Sequence, residues 1–307
     1  MHVARFITRR LIQGVVTVFG VLTVTFFLVR LSGNPAALLL GPEASQQAIA
    51  ALSHTLGFDQ PLIVQYGKFL GGVVTGNMGN SLAQNLPAMG LVLQRLPNTL
   101  ELALSSFVLG LVLAFVVVLL LQLSGSSRLR NAILWFASAR QAIPSFWLGL
   151  VLVLVFAVQL KLLPSIGNQS IKSLVLPAFT SATLELALYI RLLDGGFGDQ
   201  LRQDYVRTAY AKGQTRTKVI VRHMLPNAVL PIITVAGLNL GSLLGGTIVV
   251  ELVFAWPGVG QLLINSISSR DYTLVQAAIL VIALFFVIVN FLVDLLYSVL
   301  DPRVRLQ

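Results

Sequence analysis

Long apolar runs constrain this chain more than any other feature. The first, Leu11 to Val29, contains no charge, and comparable stretches follow near Leu100–Leu123, Ile133–Leu160, Leu174–Leu192, Val229–Val253 and Leu274–Leu300. About twenty apolar residues in a helix cross a hydrocarbon layer of ~30 Å, and inside lipid each backbone polar group must find its partner within the segment. The runs are continuous rather than alternating, so helices are expected and a barrel is excluded. Composition agrees: of 307 residues, 56% are hydrophobic and 10% charged, against roughly 25% charged in soluble proteins. The expectation is an all-α integral membrane protein with six spans.

Arg5, Arg9 and Arg10 precede the first run as they would in a signal peptide. That run exceeds the roughly 7–15 residues of a signal core, and no small-x-small site closes it, so a retained helix is expected. The net charge of +10 does not point to nucleic acid, because the basic residues sit in short segments between apolar runs, where positive charge sets topology. An N-terminus in the cytoplasm puts fourteen Lys and Arg on that side: Arg5, Arg9, Arg10, Arg128, Arg130, Arg191, Arg202, Arg207, Lys212, Arg216, Lys218, Arg222, Arg303 and Arg305. The opposite side receives six, Arg30, Lys68, Arg95, Lys161, Lys172 and Arg270, with Arg140 in or near the third span. This asymmetry places both termini inside. Residues 31 to 99 then form an outside segment, with Ser45 as a helix N-cap.

The stretch DYVRTAYAKGQTRTKVIVRHMLPNA, residues 204 to 228, is the longest basic segment between spans. Leu201, Tyr205 and Thr208/Ala209 fall on one helical face, Gly213 breaks the helix, Thr215 is placed to cap a second one, and Pro226 to end it. Two helices in water between two spans make a docking surface.

Spacing sharpens this expectation. From Ala209 the chain runs three residues to Gly213, then nine to His223, then one to Leu225-Pro226. This resembles the cytoplasmic signature of ABC importer permeases, Glu-Ala-Ala, three residues, Gly, nine residues, Ile, one residue, Leu-Pro; it departs from it at Arg207, Thr208 and His223. RRLIQGVVTVFGVLTVTFFLVRLSGNPA, LGFDQPLIVQYGKFL, GNMGNSL, FAWPGVGQLLINSISSRDYTLVQ and DPRVRL are similar, in order, to the dipeptide, oligopeptide and nickel branch of that family. The resemblance covers nearly the whole chain.

The resemblance implies a six-helix type I ABC importer transmembrane domain in a bacterial inner membrane, with an extracytoplasmic segment between helices 1 and 2. Residues 1–94 would hold the first helix and that segment, and 95–300 the transmembrane domain with its coupling segment 198–228. In the family this segment lies in a groove of the ATP-hydrolysing subunit. Tyr205, Arg207, Ala209, Tyr210, Ala211, Lys212 and Gly213 would carry the contact, the small residues permitting close approach. Implied partners are a second homologous permease, two ATP-binding subunits, an extracytoplasmic substrate-binding protein and membrane lipid. Cargo would be di- or oligopeptides, with glutathione, nickel or a metal chelate as alternatives.

Chemistry-bearing residues are few. There is no cysteine, the histidines His2, His54 and His223 are scattered, and AKGQTRTK lacks the glycines of a phosphate loop. No cofactor is expected, and ATP-Mg would be bound by partner subunits. An intramembrane hydrolase would need a nucleophile–base or His-Glu-x-x-His pattern, which is absent; a secondary transporter would show inverted repeats and no need of the signature. Ionisable residues within spans default to function. Arg140 and Glu185 are the pathway candidates; Glu251 and Asp294 lie near span ends, where pairing or snorkelling accounts for them, and Glu101 lies near the outer end of the second. Gly237, Gly241 and Gly245, four apart, offer a groove for a neighbouring helix.

Overall fold

A computed structural model describes the backbone of residues 2–31, 33, 35–40 and 43–300, and their side chains except 2–6, 35, 38, 39, 234, 242, 243 and 296–300. Arg303, Arg305 and the DPRVRL motif lie outside the described residues, as does the side chain of Arg5. The described structure is helical. Residues up to Asn98 together with those from Pro257 onward form one compact unit, and Thr99–Trp256 form the other.

The first unit begins with α1 (His2–Leu31), followed by α2 (Pro35–Leu40), α3 (Gln46–Leu56) and α4 (Leu62–Thr75). Ser45 caps α3 as expected, its hydroxyl accepting from Ala48 N at 3.2 Å. α4 lies against the C-terminal part of α1: Tyr66 Oη and Thr23 Oγ1 are 2.7 Å apart, and the Phe26, Tyr66 and Phe69 rings pack together. The Arg30 guanidinium sits 4.7 Å from the Phe58 ring centroid and 5.2 Å from that of Phe26, a contact in which the rings stand in for part of its lost hydration. A long helix, α5 (Ala88–Ser124), starts in this unit and continues into the second.

Unit two continues through α6 (Ser127–Ala142), α7 (Ser145–Leu152) with its π-helical extension Val153–Gln159, and α8 (Ile171–Leu201). α9 (Asp204–Ala211), α10 (Arg216–Lys218), a π-helical turn Val219–Met224 and α11 (Leu225–Ala228) form the basic connector, which leads into α12 (Leu230–Val253). α13 (Val259–Ser268) and α14 (Tyr272–Leu300) return to the first unit, where α14 packs along α1.

Among the described residues, five stretches are long and apolar enough to cross a membrane: Ile7–Leu31, Ala88–Ser124, Ile171–Leu201, Arg216–Gly241 and Tyr272–Leu295. A sixth exists only if α6 and α7 count as one broken span, and there the expectation of a continuous helix over Ile133–Leu160 is corrected, because the two are bent by 105°. Pro144 supplies no N–H and excludes Ile143 from the helical region; Ile143 is extended at φ −87°, ψ 122°. The second span also starts earlier than expected, at Ala88 rather than near Leu100, carrying Pro97 inside the helix. The fourth keeps Pro177 inside and runs on to Leu201.

The motifs of unit one converge. Asp271, fully buried, accepts from the Ser81 hydroxyl, from Ala83 N at 3.3 Å and from Leu274 N at 3.2 Å. It thereby caps α14 and pins the GNMGNSL loop to the SSRDYTLVQ segment. Asn98 Nδ2 donates to Pro257 O at 2.9 Å, holding the FAWPGVG turn against α5.

Candidate functional site

The connector is built by a helix stop, a left-handed residue and a second helical entry. α8 ends at Leu201, Gln203 turns extended, and α9 starts with Asp204 in its first turn, where a carboxylate suits the helix dipole. α9 closes on a Schellman motif: Gly213 N donates to Tyr210 O at 2.9 Å and Gln214 N to Ala209 O at 3.2 Å. Gly213 sits at φ +73° with open space around its missing side chain, the conformation in which glycine avoids the Cβ penalty.

The second half departs from expectation twice. Thr215 takes the N-cap position but its side chain makes no capping bond. Pro226 does not end the helix; it lies in the first turn of α11, and the path runs on toward α12. Proline in a first turn needs no N–H donor, and the π-turn just before it has already widened the carbonyl spacing.

Burial divides the connector into an inner and an outer side. Val206 and Ala209 of α9 and Val219, Ile220 and Met224 of the π-turn are buried against Tyr189, Ile190, Leu193 and Phe197 of α8 and Ala114 and Val118 of α5. Full burial of side chains of this size contributes about 1.5–3 kcal/mol each, so the connector is a rigid part of its unit. Gly196 allows the approach: a Cβ there would lie 2.6 Å from Ala228 O.

The expected apolar face of α9 is corrected. Leu201 and Tyr205 are exposed and the inner face is Val206 and Ala209, because the turn at Arg202–Gln203 takes Leu201 off the helix that carries Tyr205. At 100° per residue, the face opposite Val206 and Ala209 presents Asp204, Arg207, Thr208 and Ala211, with Tyr205 and Tyr210 on the flanks; Arg207 pairs with Asp204 at 3.5 Å. Of the seven residues assigned to docking, Tyr205, Arg207, Tyr210, Ala211, Lys212 and Gly213 are exposed, while Ala209 faces its own bundle. Tyr205 is fixed by Gln200 Oε1 at 2.6 Å and approached by Asn227 Nδ2 at 3.4 Å; His223 Nε2 lies 2.8 Å from Gln214 Oε1. The outward surface thus combines the Asp204–Arg207 pair, the small side chains of Thr208 and Ala211, and the exposed rings of Tyr205 and Tyr210 at its flanks. Exposed tyrosines beside an arginine are residue types enriched at interfaces.

The pathway candidates are distributed within the same unit. Arg140 is engaged by four acceptors. Its Nε donates to Thr183 Oγ1 at 2.8 Å, Nη1 to Ile143 O at 2.8 Å, and Nη2 to Ser145 Oγ and Thr180 O at 3.3 Å each. It satisfies the carbonyl freed at the α6–α7 break and ties that break to α8. Glu185 does line a cavity, of about 70 Å³, together with Ser106, Ser145, Ser181 and Thr247, and accepts from Asn239 Nδ2 at 2.7 Å. Gly241 is buried, Gly237 half-buried and Gly245 exposed, so the glycines do not form one uniformly open groove. Glu251 is buried and accepts from Thr247 at 3.3 Å; Asp294 pairs with Arg10 at 3.0 Å; Glu101 is exposed.

Two arrangements escape a reading of spacing alone. Asp194, buried in α8, is held bidentately by Arg130 at 2.7–3.0 Å, although charge counting assigns Arg130 to a solvated loop. Ser81 and Asp271, 190 residues apart, were each inside a quoted motif, and that co-occurrence was the one available signal. Among the described residues no three His, Asp or Glu side chains gather as metal ligands.

Comparison with known proteins matches residues 106–306 to the "Binding-protein-dependent transport system inner membrane component" family and residues 3–114 to its N-terminal companion family. The chain is 35% identical to the dipeptide transport system permease protein DppB of Alkalihalophilus pseudofirmus, covering 97% of this chain and 98% of that one. It is 36% identical to the glutathione transport system permease protein GsiC of Escherichia coli O6:H1, covering 98% of each. In fold it is similar to the inward-facing methionine ABC transporter MetNI, with TM-score 0.55 and 19% identity over 69% of this chain and 97% of that one. A similar match to an amino acid ABC transporter has TM-score 0.53 and 15% identity over 70% and 94%.

Proposed function

The chain belongs to the family of binding-protein-dependent transport system inner membrane components, and from that premise we propose that it forms half of the translocation path of an importer for short peptides. It is an all-α membrane permease subunit of the ATP-binding-cassette type. In the proposed assembly a second homologous permease completes the path, two ATP-binding subunits hold and hydrolyse ATP-Mg, and an extracytoplasmic binding protein delivers the cargo. Both termini lie in the cytoplasm. The connector is the coupling element, and the observation that carries this is its construction: an inner side locked to α5 and α8 and an outer crest of Arg207, Thr208 and Ala211 flanked by Tyr205 and Tyr210.

Mechanically, the rigid inner side makes the connector a lever. A displacement imposed on the crest by a closing ATPase moves α8, against which the π-turn and α11 pack, and α12, into which α11 leads. The peptide cargo follows from the relatives named for dipeptide and glutathione transport, both short peptides, at 35% and 36% identity.

The test is reconstitution in liposomes with the cognate permease, ATPases and binding protein, followed by uptake of labelled dipeptide with glutathione and a nickel chelate as competitors. ATP-dependent peptide uptake is expected. Uptake by this chain alone on an ion gradient contradicts the reading and favours a secondary transporter.

A further inference from the structure

Beside the connector lies an open cleft of about 420 Å³ that the docking reading does not use. Arg130 at the head of α6, Arg202 at the end of α8 and Arg216 at the start of α10 line it, with Gln122, Gly125 and the carboxylate of Asp194. That carboxylate is already engaged, bidentately by Arg130 and at 3.3 Å by Gln122 Nε2. Among the described residues neither Arg202 nor Arg216 has a carboxylate partner. Arg216 is nonetheless seated: its Nη2 donates to Gln122 O at 2.8 Å, and it occupies the space left by Gly125, where a Cβ would lie 2.4 Å from Nη1. Gly125 adopts φ +66° there, so the backbone is shaped to admit the guanidinium.

We propose that this cleft binds a phosphate group, through Arg202 and Arg216, and thereby fastens the second half of the connector to the end of α8. Three guanidiniums, Arg130, Arg202 and Arg216, with the one carboxylate of Asp194 leave the cleft two charges in excess, and guanidinium forks match phosphate oxygens bidentately. The cleft lies where α5 and α8, two membrane-crossing stretches, reach their ends. The group is therefore either the headgroup of an anionic lipid at the membrane surface or free phosphate from solution. This inference rests on the membrane reading of the chain and not on ATPase docking.

The test uses the full chain in phosphatidylcholine nanodiscs, with thermal unfolding as readout. One arm adds phosphatidylglycerol to the bilayer, and a second adds inorganic phosphate against chloride at equal ionic strength. A rise in midpoint in the first arm alone assigns a lipid headgroup, and a rise in the second assigns free phosphate. The half-saturating amount should increase at least tenfold in the double variant R202Q/R216Q, increase by less in R202K/R216K, which keeps the charge but loses the forks, and be unchanged in K68Q, which removes a cation from the other unit. Because the midpoint compares each variant with itself, a lower starting stability does not mimic loss of the site. No midpoint change in either arm, or equal shifts in wild type and R202Q/R216Q, overturns the proposal.

Discussion

Single residues decide where the connector turns and where the first unit is pinned. Gly213 occupies the left-handed position of a Schellman motif, so Gly213→Val should cost about 1–2 kcal/mol from Cβ crowding, disturb the turn and weaken ATPase association, while Gly213→Asn should be close to neutral. Thermal unfolding and co-purification of the ATPase check this; equal binding by a well-inserted Gly213→Val protein removes the role of the turn. Asp271→Ala should destabilise by about 2–4 kcal/mol, because it removes the α14 cap and leaves the Ser81 hydroxyl buried without its acceptor, measurable as a lowered unfolding midpoint in detergent. Gly213 was legible in the sequence because helix stops obey local rules. The Ser81–Asp271 and Arg130–Asp194 contacts were not, since side chains 190 and 64 residues apart meet through packing that no local period encodes.

Elements show the same division. Apolar runs marked the long helices, and α1, α12 and α14 lie over them, although the stretch between α8 and α14 that is long and apolar enough to cross, Arg216–Gly241, begins ahead of the expected Val229 and stops short of Val253. Hydropathy is blind to direction, so the apolar run from Ile133 to Leu160 read as one span although Pro144 within it marks a break, and the 105° between α6 and α7 is set by packing. The break survives because Arg140 gathers Ile143 O, Ser145, Thr180 O and Thr183. Arg140→Gln should therefore destabilise by about 1–3 kcal/mol through the buried acceptors it abandons, and Arg140→Lys should restore only part, because one ammonium cannot reach the same fork of acceptors. Unfolding midpoints of the two variants in the same detergent check the order. The π-turn before Pro226 was equally hidden: its signal is a hydrogen-bond shift, not a residue pattern.

At the scale of the whole molecule, the fourteen-to-six distribution of Lys and Arg argues for both termini in the cytoplasm, and the cysteine-free sequence makes the topology easy to read. A single Cys at Ser45 should react with an impermeant thiol reagent from outside the cell and one at Gln214 should not; the reverse pattern overturns the orientation. The proposed function rests on the connector acting as a lever, buried on one side and exposed on the other. The outer crest was partly legible through the Ala209–Gly213–Leu225-Pro226 spacing, but which residues face outward depended on the turn at Arg202–Gln203 and emerged only from burial. The most direct measurement is cross-linking in the assembled importer from a single Cys at Ala211, on the crest, compared with one at Val206, on the inner side. The account predicts that Ala211→Cys captures the ATPase subunit in a nucleotide-dependent manner while Val206→Cys does not; capture of the ATPase from neither position, in a complex that still transports, would contradict it.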